Sequence, residues 1–221
     1  MTSSTTTWES LEKWSPRAFF VAGVMFAVAA AVVVVAIVAG EWGRLALVAE
    51  AFMGAGWVGG LVGLLGLYRA LADRSRWLAR AGVVFAVLGV VAFVVLVVVV
   101  LVAFAAGSRP ESFPVPQVVI LPGMLSGTVL AFVSFSVASL RSDIHSRAFG
   151  SLLLVPTALF LANAFILPMI FEPTQDGLTQ PELALGFASA VTIGMLTIGY
   201  RLRTEGVQTD REGRTPEAPA G

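Results

Sequence analysis

Six long apolar runs constrain this chain more than any motif does. They lie at residues 17–39, 45–67, 78–106, 117–140, 148–171 and 183–200. A hydrocarbon layer about 30 Å thick is crossed by about 20 helical residues at a rise of about 1.5 Å each. Each run can therefore span a bilayer, and Pro181 at a first-turn position lets the shortest, the sixth, begin a little earlier. Val-rich stretches such as 94–102 have strand propensity in water. In lipid every backbone N–H and C=O has to be paired within its own segment, which selects helix. Composition agrees, since 57% of residues are apolar and 13% charged, about half the charge that keeps a soluble domain in solution. The expected fold is an all-α, polytopic bundle of six transmembrane helices in a cell membrane, with the lipid bilayer as its first partner.

The flanking segments read differently. The first run starts too late and is too long for a cleaved signal peptide, so it is expected to remain as a span. Residues 1–15 hold TTTWESLEKW, in which Thr6 and Glu9 form a capping box and Trp8, Leu11 and Trp14 share an arc. This predicts a short interfacial helix, with Ser15 and Pro16 starting the first span. Residues 16–200 then form the transmembrane domain. The polar stretch 201–221 has no apolar periodicity and reads as a disordered tail.

Charge placement sets an expected orientation. Lys13, Arg17, Arg69, Arg74, Arg76, Arg80, Arg141, Arg147, Arg201, Arg203, Arg211 and Arg214 fall in one alternating set of segments. Only Arg44 and Arg109, of 14 basic residues, fall in the other. The positive-inside rule puts the first set, and with it both termini, in the cytoplasm. The net charge is zero, so no global field argues for nucleic acid. With no Cys and a single histidine, His145, thiolate sites and bis-His haem have no ligands here.

MGAGWVGG at 53–60 contains Gly54, Gly56 and Gly59 in G-x-G-x-x-G spacing. A dinucleotide loop needs that spacing between a strand and a helix, where N–H groups are free for the pyrophosphate. Inside a membrane helix they are already bonded, so no nucleotide is expected. On a helical wheel Gly56, Gly59, Gly60, Gly63 and Gly66 instead form a stripe roughly 120° wide. Such stripes let membrane helices approach closely, and smaller versions are read at Gly123, Gly127 and Ser134 and at Gly186, Ala190 and Thr197.

Few polar residues stand inside the runs. Glu50 lies near one end of the second span, on the side of Trp57, Leu61 and Tyr68. It is either a carboxylate snorkelling to the interface or a functional intramembrane acid. Asn163 lies near the middle of the fifth span between Pro156 and Pro168, whose missing N–H groups are expected to kink the helix near Leu152 and Ala164. A kinked helix with a central amide can line a cavity, or the amide can bond a neighbouring helix. Glu50 and Asn163 are the candidate polar site. Arg69, Asp73, Arg76 and Arg80 have helical spacing suited to topology and anionic head groups. No Ser-His-Asp set, Walker loop or carboxylate cluster is present, so the reading is of a protein that is not an enzyme and carries no cofactor or metal.

Taken with the span pattern, the stretch LYRALADRSRWLARAGVVFAVLGVVAF, residues 67–93, resembles stretches of uncharacterised multi-pass membrane proteins of haloarchaea, a resemblance that covers the second and third spans of this chain and the loop between them. The resemblance implies a prokaryotic cell membrane and no activity. The functional expectation is a small-solute or ion carrier or channel, resting on Glu50, Asn163 and the proline-broken fifth span. The alternative is a non-catalytic scaffold or accessory subunit, working as a homo-oligomer or with a membrane-complex partner. A reporter fused after Arg203 should read cytoplasmic and a tag near Asp176 external; the reverse pattern would refute the orientation.

Overall fold

A computed structural model describes residues 3–106, 117–142, 146–166 and 180–212. Its helices are α1 (Ser3–Ala39), α2 (Trp42–Gly66), α3 (Tyr68–Ala72), α4 (Arg76–Ala106), α5 (Gln117–Ser142), α6 (Arg147–Leu152), α7 (Leu154–Leu161), a π-helical turn at Ala162–Ile166, and α8 (Pro181–Glu212). Six helical segments are long and apolar enough to cross a membrane, the fifth formed by α6, α7 and the π turn together. Among the described residues there is no strand.

α1 and α2 form a tight hairpin whose turn is closed at Gly40. Its φ of 67° suits glycine alone at little cost. The Gly40 N–H donates to the Ile37 carbonyl at 3.3 Å and the Glu41 N–H to the Ala36 carbonyl at 3.2 Å, the paired bonds of a Schellman ending. From that turn the two helices run back in contact along the α2 glycine stripe. A Cβ at Gly56 would come within 2.6 Å of the Phe26 ring, at Gly59 within 3.2 Å of Ala22, and at Gly63 within 2.7 Å of Phe19. Near Gly66 it would meet Ser15 and the Leu11 carbonyl. Ser15 Oγ also donates to the Gly63 carbonyl at 2.7 Å. Residues 15, 19, 22 and 26 are one face of α1 by helical spacing, and α2 has no side chain where each of them arrives.

α4 and α5 repeat the device. Gly89 and Gly127 bring the two backbones together, Gly82 receives the Phe135 ring, and Gly123 faces Ala92. α8 lies on α1 through Gly23, which faces Leu196, and Gly199, which faces Pro16 and Phe19. The sixth-span face expected at Gly186, Ala190 and Thr197 is not the one that docks. A Cβ at Gly186 would meet nothing within 4 Å among the described residues, and Thr197 Oγ1 bonds back to the Ile193 carbonyl of its own helix.

The flanks differ from the sequence expectation. α1 runs without a break through Pro16, so residues 3–15 are not a separate helix but continuous with the first span, whose apolar stretch begins at Leu11. The physical reason is that Leu11 and Ser15 before the proline and Phe19 after it all sit on the glycine face of α2, which holds both sides of the proline in one helix. α8 likewise continues past Tyr200 to Glu212, so the disordered tail expected from Arg201 does not begin there. Glu205 is tied to the loop before α6, accepting from Ser146 Oγ at 3.0 Å. Residues 213–221 lie outside the described residues.

Replacing Gly63 with Ala should lower stability in detergent by about 1–3 kcal/mol, since the added methyl has to displace the Phe19 ring. Gly186→Ala, where there is room, should leave it unchanged or higher. Thermal unfolding followed by circular dichroism checks both, and equal effects would show that the stripe is not a steric seam.

Candidate functional site: an aromatic hub and a flanking polar pair

Trp57 is the centre of the bundle. It stands in α2 with its side chain buried, and each of the other five spans delivers one phenylalanine to it. Phe26 of α1 meets it edge-on with ring centroids 5.4 Å apart. Phe93 of α4 stacks at 6.0 Å with the planes 21° apart. Phe132 of α5 meets it at 6.3 Å and Phe160 of α7 at 5.1 Å, both edge-on. Phe187 of α8 lies tilted at 6.5 Å. Phe26 also contacts Phe187, and Phe93 contacts Phe160, which closes the cluster around the indole. Edge-on and offset geometries are those that the ring quadrupoles favour, at about 0.5–1.5 kcal/mol per pair beyond area burial.

The glycines make the hub reachable. The Phe26 ring that contacts Trp57 is the ring that lies over Gly56, so a side chain at 56 would push it off the indole. Gly60, one turn on, makes room for Met195, with Phe132 just behind it. Glycine spacing that suggests a phosphate loop thus sits inside α2 and clears space for aromatic contacts.

Glu50 lies seven residues before Trp57 in the same helix, which places it on nearly the same face, about 10 Å nearer the Gly40 turn. It is half-buried, and among the described residues no hydrogen bond or ion pair reaches its carboxylate. Arg44 is engaged elsewhere, with its guanidinium carbon 5.0 Å from the centre of the Phe104 ring. Asn163 is half-buried in the π turn, three residues beyond Phe160. The structure therefore sets Glu50 and Asn163 on the same side of the hub, and no hydrogen bond joins them. Pro156 follows a helix interruption at Leu153, where α6 ends at Leu152, the carbonyl its ring displaces. The π turn contains Ala164, the corresponding position for Pro168; Pro168 itself, like His145, lies outside the described residues.

At the other end of the bundle the side chains are those of a membrane interface. Trp14, Trp77 and Tyr200 are exposed, and the Arg17 guanidinium carbon lies 4.9 Å from the Trp14 ring centre. Arg76, Arg80, Arg201 and Arg203 are exposed at the same end. Tryptophan and tyrosine collect at the head-group level because one part of each ring system is apolar and another polar.

These features define a polytopic helical membrane protein with a closed aromatic centre. Comparison with protein-family models, with curated proteins and with solved structures returns no match.

Sequence reasoning missed the hub. Its signal was a tryptophan mid-span with a phenylalanine near mid-depth in every other run, but the chain has 15 phenylalanines and nothing in the sequence marks out the five that reach Trp57. Trp57→Ala should cost about 3–5 kcal/mol, whereas Glu50→Gln, which keeps the shape and removes a charge in lipid, should leave stability unchanged or higher. Unfolding in mixed micelles checks this, and a Glu50→Gln loss as large as that of Trp57→Ala would mean that the carboxylate holds a structural partner.

Proposed function

We propose that this chain is a non-catalytic integral membrane protein of a prokaryotic cell membrane, a scaffold or accessory subunit that works through its helix and loop surfaces. The observation that carries this reading is the hub. Aromatic side chains from all six spans converge on the bundle axis at Trp57, where a conduit would have to run. Toward the Arg-rich end the hydroxyls of Ser15 and Ser136 donate across helices to the carbonyls of Gly63 and Gly150, while those of Ser139 and Thr157 are buried without a partner among the described residues. The two bonded hydroxyls are used in packing. Both termini lie in the cytoplasm in this proposal, because the Arg-rich segments and the exposed Trp14, Trp77 and Tyr200 share one end of the bundle. The partner is a second copy or another membrane subunit.

A second reading, a small-solute or ion carrier, rests on one specific observation. Glu50 shares the interior face of Trp57 and has no partner among the described residues. The two readings separate in liposomes containing the purified chain and loaded with pH-sensitive or potassium-sensitive dyes. The scaffold reading expects ion and solute leakage equal to that of protein-free vesicles, with Glu50→Gln indistinguishable from wild type. Saturable flux abolished by Glu50→Gln would replace it with the carrier reading.

A further inference from the structure

We propose that the chain holds one anionic phospholipid, with a hydrocarbon chain in a lateral groove between α1, α2 and α4 and the phosphate on Arg44. The groove has a volume of about 340 Å³ and is lined by Met25 of α1, Leu47, Ala51 and Ala55 of α2, and Leu101 and Phe104 of α4, among other apolar residues. It exists because α2 presents alanines, at 51 and 55, to the space that α1 and α4 flank. Its size is at the lower end of ligand sites, about 300–1,000 Å³. That suits a single hydrocarbon chain and not a helix about 10 Å across.

Arg44 selects the head group. It precedes Leu47, Val48, Ala51 and Ala55 by 3, 4, 7 and 11 residues, so by helical spacing it heads the same face, at the end of the span where lipid head groups lie. Its guanidinium is held over Phe104, which is itself a wall of the groove. It is exposed, and no carboxylate among the described residues pairs with it. Glu50 faces roughly 120° away from this side of α2. A guanidinium fixed over a groove wall offers a phosphate paired hydrogen bonds as well as charge. This site is at the end of the bundle opposite the Arg-rich loops, where a general attraction of basic residues to anionic lipid does not account for it. The proposal requires the membrane-spanning fold and is independent of whether the protein is a scaffold or a carrier.

Native mass spectrometry of the full chain in mild detergent, with equimolar phosphatidylglycerol and phosphatidylcholine of the same chain length, tests it. Wild type should retain one phosphatidylglycerol in preference to phosphatidylcholine by about fivefold, the factor that one cation contributes near an anionic head group. Arg44→Gln should bring the two lipids to parity while one lipid is still retained. Ala51→Phe should lose both. Leu101→Trp fills the groove from the opposite wall should Ala51→Phe fail to fold, and unchanged helicity by circular dichroism qualifies each variant. Parity in wild type, an undiminished preference in Arg44→Gln, or retention that survives filling of the groove would overturn the proposal. So would a second copy of the chain, in place of a lipid, being released when the groove is filled.

Discussion

The structure depends on Phe26 lying over Gly56. In water, burying that ring would be worth having almost anywhere in a core. In lipid the surroundings are as apolar as the core, so contact between helices gains only what close fit and polar bonding add. A ring pressed on bare backbone makes more short-range contacts than one resting on another side chain, because dispersion falls off steeply with separation. α1 repeats this fit along α2 at Ala22 on Gly59, Phe19 on Gly63 and Ser15 on Gly66. The Gly40 turn holds the two helices antiparallel and in register. The hairpin then presents Phe26 and Trp57 together as the platform on which the other four spans place their phenylalanines.

Such packing fills the middle of the bundle with interlocked rings, and that filling bears on function. A conduit or an alternating-access site near mid-membrane generally uses broken helices whose freed backbone groups line water. The one span broken in that way, by the interruption at Leu153 and the π turn at Ala162–Ile166, has Phe160 between its two irregularities, and Phe160 makes the shortest ring-to-ring approach to Trp57. The break is thus fastened at its middle by the hub. Motion in this span has to separate those rings, at a cost set by several aromatic contacts at once.

Sequence alone made the six helices legible, because length and the exclusion of unpaired backbone from lipid leave one choice per run. It also made the glycine stripe legible, since helical spacing needs no knowledge of the neighbour. It could not show which neighbour each glycine faces. Gly186 shows why: it has the composition of a seam but no neighbour within 4 Å among the described residues, and a small residue is equally compatible with packing and with lipid. The continuity of α1 through Pro16 was hidden for a related reason. Local rules make Ser15 and Pro16 a helix start, and the contact that overrides them is with Gly63 and Gly66, about 50 residues away in sequence. The inward face of Glu50 was readable from its spacing to Trp57, whereas its lack of a described partner was not.

The two halves of the bundle on either side of Trp57 are chemically unlike, and the difference has a physical cause. Toward the Arg-rich end, Ser15, Ser136 and Ser142 donate to carbonyls at 2.7, 2.6 and 3.1 Å. Ser15 and Ser136 bond across helices, Ser142 bonds back within α5, and the buried Ser139 and Thr157 hydroxyls have no partner among the described residues, so the first two are the hydroxyls that bind helices together. Toward the Gly40 end stand a carboxylate and a side-chain amide, which carry more acceptors and donors than a neighbouring helix backbone, already bonded within itself, can satisfy. Glu50 and Asn163 are also only half-buried. Groups of this kind are stable in a membrane when water or head groups reach them from the near surface. The hub is what limits that reach: Trp57 and its five phenylalanines separate a half that admits polar groups from a half that is packed. The hub does not stand between Glu50 and the Gly40 end, the same end at which Arg44 stands over Phe104.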